Sequence, residues 1–260
     1  MKRLSVSATQ TPLILSIETA TRAGSVALTR GDRLLCAREG DASVSHSSHL
    51  LRYVSEALEE GGVALGEVEL FAAAIGPGSF TGLRIGLATV KSFAATLGRP
   101  CVGVPSLYAV ARAAGESERT LATLQAGRGE VFAQLVKVDA SGDVHPLEEP
   151  AHLTPQRLLE KVRTMRHLRW AGEGALAHGE ALRALAQSEE IPFSREDANG
   201  IEARGGAQGW TLAPPPSILA AEVAGLALMR ARSAQVSPPD QLRAVYVRPS
   251  DAELNERCRE

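Results

Sequence analysis

Few residues in this chain stand in arrangements that could do chemistry. Gly76-Pro77-Gly78-Ser79 precedes a helical stretch, and helix N-termini present free N–H groups to anions. No Gly-Lys-Ser/Thr ending follows, so no lysine reaches a phosphate and the segment reads as a structural turn. His46 and His49 sit three apart at the start of an amphipathic stretch, where residues i and i+3 nearly share a face. Two imidazoles without further ligands fall short of a metal site, so none is expected and His46 reads as a helix cap. Cys36, Cys101 and Cys258 are scattered and odd in number, which suggests neither a disulfide framework nor a zinc cluster. The first two lie in apolar runs and read as small core residues. Neither a Gly-x-Ser-x-Gly elbow nor a His-Glu-x-x-His helix occurs.

The elements around these residues organise on Ala72 to Gly98. Leu70 to Ile75 is an apolar run of strand length. Glycine and proline then make a turn, and Ser79 caps a helix from Phe80 that Gly98 stops. Leu83, Leu87, Val90, Ala94 and Leu97 form its apolar stripe. Gly82 and Gly86 lie one turn apart. Each costs about 1 kcal/mol against alanine, so together they imply a close neighbour, in this chain or another.

With 260 residues, 44% hydrophobic and 22% charged, the composition is that of a globular chain with ample core. A net charge of -2 gives no overall bias toward nucleic acid or anionic membrane. No apolar stretch reaches membrane-spanning length and no sustained signal core opens the chain, so a cytoplasmic location is expected. Residues 1–12 read as a disordered lead-in, 13–115 as a first lobe and 116–260 as a second, more degenerate one.

In order, Leu13–Ile17, Ser25–Thr29 and Leu34–Glu39 are strands on short turns. An amphipathic helix over His46–Gly61 follows, with Leu51, Val54 and Leu58 aligned. After the organising strand and helix come a strand at Cys101–Val104 and a helix from Ser106. The second half offers strands at Thr120–Leu124 and Glu130–Val138, turned by Ala126-Gly127-Arg128-Gly129, and a weaker strand near His145. A helix follows from Pro155, capped by Thr154, to Val162, then a strand Leu168–Ala171 and a helix His178–Gln187. Ser194–Thr211 lacks periodicity and reads as a mobile loop. A helix over Ile218–Arg232 is placed to pack back on the first lobe, and Val245-Tyr246-Val247 is extended.

The order βββαβαβα is similar to the repeat of the actin, sugar-kinase and Hsp70 superfamily (ASKHA), an α/β fold of two lobes. In catalytic members, two glycine-containing hairpin turns hold nucleotide phosphates and a strand-end carboxylate orients Mg²⁺ and water. By that analogy Glu18 takes the carboxylate's place, and Thr19 to Gly24 and Ser25 form the first phosphate turn. Gly172-Glu173-Gly174 is the second candidate. One glycine in the first turn and a carboxylate in the second make a complete nucleotide site improbable, which leaves a vestigial cleft.

GPGSFTGLRIG resembles the hallmark of the TsaB (YeaZ) family, the partner subunit in bacterial tRNA threonylcarbamoyladenosine synthesis. ILSIETATRAGSVAL, HSSHLL, GRGEVFAQL, PPSILAAEVAGLA and VYVRPSDAE are similar to further family segments, with Phe132 where a tyrosine is usual. The resemblance implies a non-catalytic subunit that binds and activates TsaD, with TsaE as an ATP-hydrolysing partner and tRNA reached through the complex. It implies no cofactor, residual ATP or ADP binding apart. Helices 46–61 and 80–97 would meet the partner as a four-helix bundle through Leu51, Val54, Leu58, Gly82, Leu83, Gly86, Leu87 and Val90, and a homodimer is expected in isolation. Two rivals stay open: an ATP-dependent phosphotransferase of the same superfamily, and a free-standing interaction or regulatory protein.

Overall fold

A computed structural model of the chain describes residues 11–42, 46–196, 209–216 and 218–247, without the side chains of residues 46–48. Most of the expected lead-in, Cys258 and the middle of Ser194–Thr211 lie outside them. Pro12, assigned to the lead-in, is buried, and its carbonyl accepts the Gly31 N–H at 2.9 Å.

The first lobe opens with the meander β1 (Leu13–Glu18), β2 (Ser25–Arg30) and β3 (Arg33–Glu39). Helix α1 (His46–Gly61) leads to β4 (Leu70–Ala74), α2 (Phe80–Leu97), β5 (Cys101–Val104) and α3 (Ser106–Ala113). The sheet order is β3-β2-β1-β4-β5, antiparallel within the meander and parallel from β1 to β4 to β5.

Strand β1 is buried on both faces, and its alternation sends side chains to two cores. Leu13, Leu15 and Ile17 join Leu50 and Val54 of α1 and Leu87 and Val90 of α2. Ile14 joins Leu107 and Val110 of α3 on the opposite side. Cys36 and Cys101 are small core residues, and burial pushes the Cys101 thiol up to about 11.

The second lobe repeats the plan. Strands β6 (Ser117–Gly127) and β7 (Glu130–Val138) form its hairpin, extended by β8 (Val144–Pro146) and by β9 (Ala151–Leu153), which pairs with β7. Helix α4 (Pro155–Val162) is capped by the Thr154 hydroxyl and precedes β10 (Leu168–Ala171). Then come α5 (Glu173–Ala177), α6 (Gly179–Ser188), β11 (Phe193–Arg195) and β12 (Trp210–Leu212). The order β8-β7-β6-β10-β12 matches the first sheet strand for strand, with β11 added at the edge. Two equivalent sheets, each a meander continued by parallel strands, make this the duplicated actin-like fold.

One expectation is corrected here. The ends of the presumed loop Ser194–Thr211 are strands β11 and β12, paired in parallel. Trp210 is fully buried, edge-on to Trp170 with centroids 5.3 Å apart, and its indole N–H donates to the Met165 carbonyl at 2.8 Å. Val245–Val247 runs outside the two sheets, where the Val245 N–H donates to the Ile75 carbonyl at 2.7 Å.

The last helix, α7 (Leu219–Arg232), packs on β1, β2, β4 and β5 of the first sheet and on α3. The Ser16 hydroxyl donates to the Ala220 carbonyl at 2.7 Å. The Ser25 hydroxyl accepts the Ala220 N–H at 3.0 Å, an acceptor for a helix whose N-cap residue Ile218 supplies none.

Candidate functional site

Two adjoining cavities open between the lobes. The smaller, about 370 Å³, is lined by Glu18, the β1–β2 turn and the β10–α5 junction. Glu18 ends β1 at 1% exposure, at the inner wall of this cavity. Its carboxylate accepts the Thr21 N–H at 2.8 Å and the Thr21 hydroxyl at 2.7 Å. Burial raises its pKa against those hydrogen bonds, and Glu173 across the cavity adds to the rise. Glu173 is raised chiefly by burial too, while the Gln125 N–H that it accepts at 3.1 Å and the Arg22 charge oppose this.

Several polar groups of the first turn are engaged within the chain. Thr21 spends its N–H and hydroxyl on Glu18. The Gly24 N–H donates to the Thr21 hydroxyl at 3.2 Å, and the Ser25 hydroxyl oxygen accepts the Ala220 N–H of α7. A phosphate cradle needs such donors free. In the second lobe, Gly172-Glu173-Gly174 is a strand-to-helix junction with the carboxylate facing the cavity. The hairpin turn equivalent to β1–β2 is Gly127-Arg128-Gly129, three successive residues at positive φ (80°, 53° and 76°).

The GPGS turn is clamped from three sides. The Ser79 N–H donates to the Ala20 carbonyl at 2.8 Å, and a β-carbon at Gly78 would lie 2.6 Å from that oxygen. The Ser106 hydroxyl accepts the Gly76 N–H at 3.1 Å, and a β-carbon at Gly76 would lie 2.4 Å from the Val245 carbonyl oxygen. Its glycines are there for close packing. Ser79 caps α2 by accepting the Gly82 N–H at 3.2 Å, and Gly98 ends it in the left-handed region.

The expected partner contacts divide by burial. Val54, Leu83, Leu87 and Val90 are buried in the chain's own cores, as are Gly82 and Gly86. The close neighbour of Gly86 is Thr19 of this chain. Leu58 is half-buried, and Leu51 alone among the named leucines and valines is exposed, at 63%. The inner row of α1 is Leu50, Val54 and Ala57 instead. The side chain of His46 lies outside the described residues, and His49 stacks on Tyr53 with ring centroids 6.0 Å apart. No group of three or more metal-ligating side chains occurs among the described residues.

The outward row of α2 went unnoticed in the sequence. Thr81, Ala88, Ser92 and Ala95 are exposed and small. Arg84, exposed beside that row between Thr81 and Ala88, and Lys91 hold the C-terminal segment. Arg84 Nε donates to the Tyr246 hydroxyl at 3.4 Å, and Lys91 Nζ to the Leu242 carbonyl at 3.4 Å.

A two-lobed actin-like protein whose β1–β2 turn bonds back to Glu18 and to α7 is the class that fold and cleft define. Residues 40–204 match the family model for TsaD, tRNA N6-adenosine threonylcarbamoyltransferase. The tRNA threonylcarbamoyladenosine biosynthesis protein TsaB of Escherichia coli is 34% identical over 160 residues, 58% of this chain and 67% of that protein. The structure of YeaZ from Pseudomonas aeruginosa superposes with a TM-score of 0.68 at 26% identity, covering 90% of this chain and 99% of that one. A tRNA N6-adenosine threonylcarbamoyltransferase of Moorella thermoacetica is 41% identical over 66 residues, 25% of this chain and 19% of the enzyme. The chain belongs to the TsaB (YeaZ) family, whose named members serve tRNA threonylcarbamoyladenosine biosynthesis. No described helix is long and apolar enough to cross a membrane.

Proposed function

We propose that this chain is a non-catalytic subunit that binds and activates a TsaD-type threonylcarbamoyltransferase in forming N6-threonylcarbamoyladenosine beside the tRNA anticodon. The supporting observation is the outward row of α2, Thr81, Ala88, Ser92 and Ala95, on the helix that begins with the family hallmark. A row of small side chains lets a second helix approach closely, and the exposed Leu51 of the neighbouring α1 supplies an apolar anchor. The inward residues named from the sequence support this surface from beneath. TsaE joins as the ATP-hydrolysing partner, and in its absence and that of TsaD the same face pairs with a second copy.

The test is threonylcarbamoylation of tRNA by the cognate TsaD and TsaE, with and without this chain and with its Glu18→Gln variant. Wild type and variant restore activity equally if the chain is a non-catalytic activator. A variant that binds TsaD but restores nothing gives the cleft a chemical task and overturns the non-catalytic part. No gain from the wild type overturns the reading altogether.

A further inference from the structure

The larger interlobe cavity, about 630 Å³, has Phe80 and Tyr246 on its walls beside Arg22 and Arg128. The two rings lie 4.9 Å apart between centroids, and Tyr246 is 45% exposed. The Arg84 guanidinium sits 3.8 Å from the Phe80 centroid and reaches the Tyr246 hydroxyl, which fixes both rings. Among the described residues no carboxylate lies within ion-pair distance of Arg22, Arg84 or Arg128. Of the two carboxylates lining the cavity, Glu130 pairs with His152 at 2.8 Å, and Glu173 accepts the Gln125 N–H and feels the Arg22 charge. Arg128 is held out at the tip of its left-handed turn, with Gly129 bonded through its carbonyl to His178 at 3.0 Å.

Resting on the reading of the chain as part of a tRNA-modifying complex, we propose that this cleft mouth contacts single-stranded RNA directly. An unstacked base lies against the Phe80–Tyr246 pair, which Arg84 braces, and flanking phosphates meet Arg22 and Arg128. Base stacking on aromatic rings tolerates any sequence, and guanidinium groups without carboxylate partners give up no ion pair to bind phosphate. Duplex RNA keeps its bases stacked and would gain nothing from the rings. The two cations come from separate elements on the rim, the β1–β2 turn and the β6–β7 turn, which suits successive phosphates rather than one.

The experiment is fluorescence polarisation of a labelled anticodon stem-loop RNA with the full chain in complex with cognate TsaD. Variants are Tyr246→Ala and the double charge reversal Arg22→Glu/Arg128→Glu, and complex assembly is measured on the same samples. Tenfold or greater weakening in both variants is expected. Log affinity against log salt should also lose about 1.4 of slope in the double variant, at roughly 0.7 per single-stranded phosphate contact. Unchanged RNA affinity in an intact complex overturns this proposal alone. Equal competition by duplex RNA or by a free mononucleotide also overturns it. Failure of the wild-type complex to assemble overturns the reading beneath it.

Discussion

A β-carbon on Gly86 would lie 2.2 Å from the hydroxyl oxygen of Thr19. Helix α2 therefore rides directly on the chain leaving β1, next to Glu18. Alanine at Gly86 would gain about 1 kcal/mol of helix propensity but force an overlap costing about 1–3 kcal/mol or more. Gly86→Ala should melt a few degrees below wild type. Thr19→Ala/Gly86→Ala should recover most of the loss, because the Thr19 β-carbon, at 3.4 Å, is an ordinary contact. A single variant as stable as wild type would show that the approach is looser than this.

Glu18 makes stability depend on pH in a definite sense. Burial raises its folded pKa above 4.5, so the folded state holds this proton more tightly than the unfolded one. Its contribution is fully present below the unfolded pKa and is lost as pH rises through the folded value. Glu18→Gln keeps a neutral isostere that still accepts the Thr21 N–H. Relative to wild type, the variant should gain stability between acid and neutral pH. Chemical denaturation at both ends of that range measures the difference, and a constant offset would refute the assignment.

The two sides of α2 should separate binding from folding. Ala88→Trp and Leu51→Glu change exposed positions and should leave stability within about 0.5 kcal/mol while weakening TsaD binding at least tenfold. Leu83→Ala opens a cavity in the core and should cost about 2–5 kcal/mol. Calorimetric titration beside thermal melts reads both, and retained binding in Ala88→Trp would remove the outward row from the interface.

Ser25→Ala tests whether that hydroxyl belongs to α7 or to a ligand. Loss of the acceptor for the Ala220 N–H should cost about 1–2 kcal/mol. Equilibrium denaturation should show that loss, and ATP binding measured beside it should not change. A variant with wild-type stability would return Ser25 to the cleft.

Much of the first lobe was legible because its punctuation is strong. Ser79 and Gly98 bracket α2 by capping chemistry, and the glycine turns separate runs of clear period. The outward row of α2 was not legible for a physical reason. An apolar stripe such as Leu83, Leu87 and Val90 marks what a helix turns toward its own core, whereas Thr81, Ala88, Ser92 and Ala95 carry little hydrophobic signal. In α1 two adjacent leucines offered two registers, and Leu50 went inward. Strands β11 and β12 are three residues each, too short to show alternation, and Trp210 was the one cue that a core lay there. The duplicated strand order had to be seen before Gly127-Arg128-Gly129 could be matched to the β1–β2 turn.

The placement of α7 bears on the chain's birth. A helix beginning at residue 219 closes one face of a sheet begun at residue 13, with Ser16 and Ser25 fastened to its first turn. The early sheet must leave the ribosome with that face uncovered, Ile14, Leu70 and Ala72 among the waiting side chains. The second lobe is made in the interval. Loss of the last helix to a premature stop would thus injure the lobe synthesised first, and nascent chains held short of residue 232 are natural clients for a chaperone.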